Sequence, residues 1–146
     1  MSRVVLQDLS DGATRLVDAP APTPGAHQVV IANSASVVSA GTERMLVDFG
    51  RASLLGKVRS QPQRVGEVLD KARTDGLATT VEAVRSKLAE PIPLGYSSAG
   101  TVVAVGRSVS GIEVGDHVAA AGPHAELAAV PVTLTAAIPD GVDAGD

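Results

Sequence analysis

The spacing of apolar residues changes twice along the chain, and it begins with a β pattern. As far as about residue 39, short runs rich in β-branched residues predict strands at residues 3–6, 14–17 and 27–31. Asp11 and Gly12 predict a hairpin turn between the first two strands. Three prolines and a glycine exclude regular structure before the third strand: Pro20, Pro22, Pro24 and Gly25.

The second part, residues 44–90, has helical spacing. One face of a predicted helix carries four apolar residues, and Lys87 and Pro91 mark its end. At 1.5 Å per residue this helix would be about 18 Å long. A similar spacing follows Pro62, so we predict an insert of two or three short amphipathic helices. The two apolar sets are Leu77, Val81, Val84 and Leu88, and Val65, Val68, Leu69 and Ala72.

The third part returns to a β pattern. Short β-like runs occur at residues 101–105, 117–120, 125–130 and 134–138, with glycines between them. Many short strands with Gly and Pro turns are typical of a small barrel or sandwich. The predicted fold is therefore mainly β, with a helical insert at about residues 44–90.

Composition narrows the class of protein. Apolar residues make up 45% of the 146 residues, but polar residues or glycine interrupt every run before the roughly 18 residues of a membrane span. The first residues lack the apolar block of a secretory signal. We therefore expect a soluble, cytoplasmic protein without a membrane partner.

Charge and aromatic content disfavour nucleic-acid binding. The net charge of −4 gives no general attraction to phosphate groups. Phe49 and Tyr96 are the only Phe, Tyr or Trp residues, so few side chains could stack on bases. The segment from Arg51 to Glu90, however, contains eight Lys and Arg residues and only five Asp and Glu residues. This basic insert could line a site for an anionic substrate, although such charges more often form a solvated face.

Cysteine is absent, which excludes disulfides and thiolate nucleophiles and leaves a metal site only His, Asp and Glu. The histidines, His27, His117 and His124, have no paired spacing, so we expect surface or barrel roles for them. A hydrolase triad of Ser97 or Ser98 with His117 or His124 is disfavoured, because no G-x-S-x-G elbow is present.

Four stretches together resemble the N-terminal domain of medium-chain dehydrogenases and reductases. They are PGAHQVVI at residues 24–31, GTE at 41–43, GYSSAGTVVAVG at 95–106 and VGDHV at 114–118. The resemblance implies a GroES-like barrel, a following Rossmann domain that binds NAD or NADP, and hydride transfer between them. No G-x-G-x-x-G opens a helix in this chain. We therefore expect one GroES-like domain over residues 1–146, a cofactor domain after residue 146, and packing or turn roles for Gly100 and Gly106.

Two departures from the zinc-dependent pattern are informative. Those relatives carry a cysteine before the Gly-Thr pair and a His-Glu pair after the first glycine of the third motif. Here Ala40 precedes Gly41, and Tyr96 and Ser97 replace the His-Glu pair. With the helical insert, the sequence most resembles a zinc-free branch of bacterial oxidoreductases, some fused to a second sugar-type oxidoreductase, and no metal is expected.

The resemblance also implies site residues. Thr42 matches a hydroxyl that relays protons, and Tyr96 replaces a zinc histidine, so both are predicted to be catalytic hydrogen-bond or proton donors. Ala40, Gly41 and Thr42 are expected to contact the cofactor. Alternatively, Thr42 only caps a helix that begins near Glu43, and Tyr96 only packs at the barrel mouth.

The leading prediction is a zinc-independent NAD(P)-dependent oxidoreductase domain that acts on a small alcohol or carbonyl compound. In the complete enzyme it could form a homo-oligomer. Two alternatives stay open: a quinone-reductase-like enzyme domain, and a stand-alone, non-catalytic GroES-like binding or assembly module.

Overall fold

The computed structural model describes residues 1–52, 82, 86 and 89–143. Their regular structure is mostly β-strand, joined by turns, with a 12-residue α-helix, α1, at Ala40–Arg51. The strands are β1 Ser2–Gln7, β2 Thr14–Ala19, β3 Gln28–Ser36, β4 Ile92–Pro93, β5 Ser98–Val105, β6 His117–Ala120, β7 Leu127–Pro131 and β8 Thr135–Ala137; a 3₁₀ turn, Val132–Leu134, precedes β8.

The core lies on a five-stranded sheet in the order β7-β3-β5-β6-β8. The pairings between these neighbours are antiparallel. Side chains point to alternate faces of a strand, so Val29 and Ile31 of β3 enter the same core, where both are fully buried. They pack with Val102 of β5, Val118 of β6 and Val130 of β7. Burying each such side chain contributes about 1.5–3 kcal/mol.

The pairing of β3 with β5 is irregular towards the C-terminal end of β3. The register shifts between Val30 and Ile31 and again between Asn33 and Ala35, before Ser36 pairs with Ser98. A bulge of this kind redirects side chains and increases local twist. The last residues of β3 therefore depart from a regular ladder.

Gly100 and Gly106 are packing residues, as expected from their place beside strands. A Cβ on Gly100 would lie 2.1 Å from the carbonyl oxygen of Ala32, and one on Gly106 would lie 2.0 Å from that of Gly25. No side chain fits at such distances. These glycines allow two backbone segments to approach closely.

A second sheet has the order β2-β1-β4. The predicted turn between β1 and β2 is present: the Gly12 N–H donates to the Asp8 carbonyl at 3.0 Å, and Gly12 has a φ of 71°. The sequence pattern did not predict β4, which contains only Ile92 and Pro93.

The predicted strands of the first and third parts are confirmed, with ends that shift by a few residues. The helix expected near Glu43 begins three residues earlier, at Ala40. Most of the predicted insert helices, including the faces at residues 65–72 and 77–88, lie outside the described residues. Three residues of that segment, Glu82, Ser86 and Ala89, have helical backbone.

The chain divides into two compact units. The first contains Met1–Val5, Leu16–Ala40 and Pro93–Asp146, and the second contains Leu6–Arg15 and Gly41–Ile92. Within the described ranges, no helix is long and apolar enough to span a membrane.

Candidate functional site

The first turn of α1 displays the residues expected to contact a cofactor. Ala40, Gly41 and Thr42 are all exposed, and a Cβ on Gly41 would have no neighbour within 4 Å in the part of the chain that the structure describes. The N–H groups of a first helical turn have no partner within the helix, so they can bind a ligand. Thr42 is the third residue of α1. It is therefore inside the helix, and the alternative that it is the N-cap is wrong; Ser39, another favourable N-cap type, directly precedes α1.

The other end of α1 is anchored within the second unit. Gly50, which is buried, packs so closely that a Cβ would lie 2.7 Å from the Gly12 Cα. The buried Gln7 side chain accepts a hydrogen bond from the Thr14 hydroxyl at 2.7 Å and donates to the Asp8 carbonyl at 3.1 Å. The helix that carries Thr42 thus has a fixed C-terminal end.

Tyr96 belongs to the first unit, in the turn between β4 and β5. Its side chain is 52% exposed, whereas Leu94 beside it is buried. Gly95 has a φ of 88°, in the left-handed region that a glycine adopts without strain. The phenol is therefore presented by a turn whose preceding residue is constrained to glycine.

His124 lies against the same turn, an arrangement that the sequence did not predict. The backbone N–H of His124 donates to the Leu94 carbonyl at 2.7 Å, and the backbone carbonyl of His124 accepts from the Val5 N–H at 2.9 Å. The imidazole Nδ1 lies 2.8 Å from the Ser36 Oγ, within hydrogen-bond distance. Ser36 and His124 are 88 residues apart, so no local motif could have revealed the pair.

Asn33 holds the segment that follows His124. Its side-chain N–H donates to the Ala125 carbonyl at 2.9 Å, and its backbone N–H donates to the Glu126 carbonyl at 3.0 Å. Both bonds attach this segment to β3. The position of His124 is thereby set by backbone bonds on one side and by Asn33 on the other.

An open groove of about 380 Å³ runs along this part of the first unit. Its charged pair is Arg3 and Glu126: the Arg3 Nε donates to a Glu126 carboxylate oxygen at 2.7 Å, and the Arg3 backbone N–H donates to the other at 2.9 Å. These hydrogen bonds lower the pKa of Glu126 below its ordinary value and raise that of Arg3. The groove is lined by Arg3, Val5, Leu16, Asn33, Ser34, Ala35, Ser36, His124, Ala125 and Glu126.

Among the residues described, the other histidines and serines considered from the sequence form no catalytic group with one another. His27 and His117 are exposed. Ser98 is buried, and within the described part of the chain its hydroxyl has no hydrogen-bond partner, so it is not the nucleophile of a triad. In residues 1–52 and 89–143, with 82 and 86, no three His, Cys, Asp or Glu side chains are grouped as around a metal ion.

The sequence of residues 66–140 matches the family described as the alcohol dehydrogenase GroES-like domain. The chain belongs to this family. The matched segment contains the third and fourth motifs of the sequence analysis, including Tyr96. No match was found among curated protein sequences.

Solved structures share the fold of this GroES-like domain. An alcohol dehydrogenase superfamily protein from Novosphingobium aromaticivorans has a TM-score of 0.64 at 21% identity, over 99% of this chain and 36% of that one. A quinone oxidoreductase from Pseudomonas syringae pv. Tomato DC3000 has a TM-score of 0.61 at 20% identity, over 99% of this chain and 35% of that one. A mycobacterial protein complexed with NADPH has a TM-score of 0.62 at 23% identity, over 99% of this chain and 34% of that one. The chain thus spans about a third of the length of these structures.

Proposed function

We propose that this chain is the substrate-side domain of a zinc-independent, NAD(P)-dependent oxidoreductase that reduces a carbonyl group or oxidises the corresponding alcohol. The proposal is carried by the GroES-like domain match, together with a sequence in which Ala40 precedes Gly41, and Tyr96 and Ser97 replace the His-Glu pair that the resemblance assigns to zinc-dependent relatives. None of these side chains is a usual zinc ligand.

Hydride transfer to a carbonyl carbon places negative charge on the carbonyl oxygen. NAD(P)H, when bound, supplies the hydride; the protein must supply hydrogen-bond donors to the oxygen. We assign this role to the hydroxyls of Tyr96 and Thr42, both on exposed positions. The first turn of α1, with Ala40, Gly41 and Thr42, would hold part of the cofactor, since none of the described residues lies within 4 Å of a Cβ placed on Gly41.

A second candidate is quinone reduction. It is favoured by one specific observation, that solved structures with this fold include enzymes named as quinone oxidoreductases. Both candidates need the same cofactor, but they differ in the electron acceptor. A stand-alone binding module would need no cofactor.

The experiment uses the protein translated from the complete coding sequence that contains this chain. Oxidation of NADH and NADPH is followed with aldehydes, ketones and quinones as acceptors. We expect turnover with a carbonyl compound, and Tyr96→Phe should lower kcat/KM by roughly 10²-fold or more, because a positioned proton donor contributes about 10²–10⁴. Thr42→Val should lower it as well.

Thr133→Val, at an exposed threonine of the 3₁₀ turn, is the matched control and should leave kcat/KM unchanged. Turnover with quinones alone would select the second candidate. Absence of NADH and NADPH oxidation with every acceptor would contradict both and favour a binding module. Normal turnover in Tyr96→Phe with lower thermal stability in Tyr96→Leu would make Tyr96 a packing residue.

A further inference from the structure

The turn that carries Tyr96 is fixed on both flanks. On one side, Leu94 donates its N–H to the Val5 carbonyl at 2.9 Å and accepts from the His124 N–H at 2.7 Å. On the other side, the Ser97 carbonyl accepts from the Val37 N–H at 3.0 Å. The anchors leave only Gly95 and Tyr96 between them. The backbone conformation at Tyr96 therefore depends on what holds Gly95.

The imidazole of His124 occupies the space beside Gly95. A Cβ on Gly95 would lie 2.8 Å from both Cγ and Cδ2 of the ring, and 2.7 Å from the His124 backbone nitrogen. Real Cβ atoms are not found below about 3.0 Å from such neighbours. The ring thus packs directly on the backbone of Gly95. No residue with a Cβ would fit at position 95 without a shift of its neighbours.

Ser36 fixes the ring itself. Its Oγ lies 2.8 Å from the imidazole Nδ1, and it is the last residue of β3, which lies between β7 and β5 in the five-stranded sheet. A hydrogen bond from a strand residue restricts rotation of the ring about its Cβ–Cγ bond. Groups held in this way by sheet residues keep their geometry better than groups held by loops.

We propose that His124, oriented by Ser36, is a positioning residue for Tyr96. The imidazole packs against Gly95 and restricts the backbone there, so that the phenol of Tyr96 has one preferred orientation. The catalytic part of this proposal rests on the proposed function, in which Tyr96 donates a hydrogen bond to the substrate. A misplacement of about 1 Å at such a donor can lower the rate by roughly 10²-fold.

The first measurement does not depend on catalysis. Tyr96 is the only tyrosine, and tryptophan is absent, so the time-resolved anisotropy of tyrosine emission reports this side chain alone. We expect His124→Ala to increase the amplitude of fast ring motion. His117→Ala, at an exposed histidine of β6, is the control and should leave the decay unchanged. Unchanged Tyr96 motion in His124→Ala overturns the proposal.

Variants at Ser36 keep the test available if His124→Ala does not fold. Ser36→Ala removes the hydrogen bond to Nδ1, whereas Ser36→Thr keeps a hydroxyl. We expect faster Tyr96 motion in Ser36→Ala and a decay close to wild type in Ser36→Thr. Equal decays in both variants would overturn the role of Ser36 in orienting the ring.

The second measurement is kinetic and uses the protein from the complete coding sequence. We expect His124→Ala to lower kcat by roughly 10-fold or more with little change in KM, because the donor is displaced while substrate binding persists. In a Tyr96→Phe background the same substitution should have no further effect, since the two act through one group. An equal loss in both backgrounds overturns the proposal. A wild-type protein that oxidises no NAD(P)H contradicts the proposed function instead, and the anisotropy still decides the positioning role.

Discussion

At the scale of single residues, Asp8 is the most strongly perturbed ionisable group described. One of its carboxylate oxygens accepts hydrogen bonds from the Ser10 hydroxyl and from the Ser10 N–H, the latter at 2.8 Å; the other accepts from Arg15 at 3.1 Å. These bonds, those from Ser10 first, lower the pKa of Asp8 to about 2. The carboxylate is thus tied into the turn between β1 and β2.

The lowered pKa of Asp8 predicts how the free energy of unfolding changes with pH. A carboxyl group whose pKa is lower in the folded protein stabilises the fold while it is ionised. The contribution is complete above the unfolded pKa, 3.8, and is lost as the pH falls to about 2. We expect the urea midpoint of the wild type to fall over this range and that of Asp8→Ala to fall less.

Asp140→Ala, at an exposed aspartate near the end of the described chain, is the control and should retain the wild-type acid dependence. Identical acid profiles for the wild type and Asp8→Ala would contradict the assigned hydrogen bonds.

Also at the residue scale, the sequence predicted exposed positions better than it predicted partners. Thr42 and Tyr96 were chosen by motif, and both are exposed. The bond between His124 and Ser36 was not foreseen, because it joins residues far apart in the chain and depends on the irregular register at the end of β3. The same register pairs Ser36 with Ser98, whose buried hydroxyl has no hydrogen-bond partner among the described residues.

At the scale of elements, α1 contains two glycines in opposite environments. A Cβ on Gly41 would meet no described residue within 4 Å, whereas a Cβ on Gly50 would lie 2.7 Å from the Gly12 Cα and 3.0 Å from the Asp8 carbonyl oxygen. Within a helix, alanine is favoured over glycine by up to about 1 kcal/mol. Forcing a methyl group into a packed site costs about 1–3 kcal/mol.

We therefore expect Gly50→Ala to lower the free energy of unfolding by about 1–2 kcal/mol, because crowding outweighs helix propensity. Gly41→Ala, the matched control in the same helix, should raise the free energy by up to about 1 kcal/mol. Urea unfolding of the two variants measures both values. Stabilisation by Gly50→Ala would show that α1 is not anchored against the Gly12 turn.

Element boundaries were predictable where hydrophobic periodicity was strong. The strands with β-branched runs were found, since alternation places Val29 and Ile31 in one core. The two-residue strand β4 was missed because it is too short to show a period. The start of α1 was misplaced because Ser39 and Thr42 are both favourable N-cap types, and the sequence does not choose between them.

At the scale of the whole molecule, the GroES-like fold explains why so much of the chain consists of short strands and glycine turns. The order of four motifs predicted this fold, and the family match at residues 66–140 confirmed it. The chain spans about a third of each solved structure reported above. The cofactor domain therefore stays a prediction, as does the substrate, since neither is encoded in the described residues.

The central claim is oxidoreductase activity without zinc. The direct measurement is elemental analysis of protein purified without chelator from the complete coding sequence, with NAD(P)H-dependent turnover measured on the same sample before and after EDTA. We expect turnover that EDTA does not change, in protein with far less than one zinc per chain, because Ala40, Tyr96 and Ser97 are poor zinc ligands. About one zinc per chain, with turnover lost on its removal, would contradict the claim.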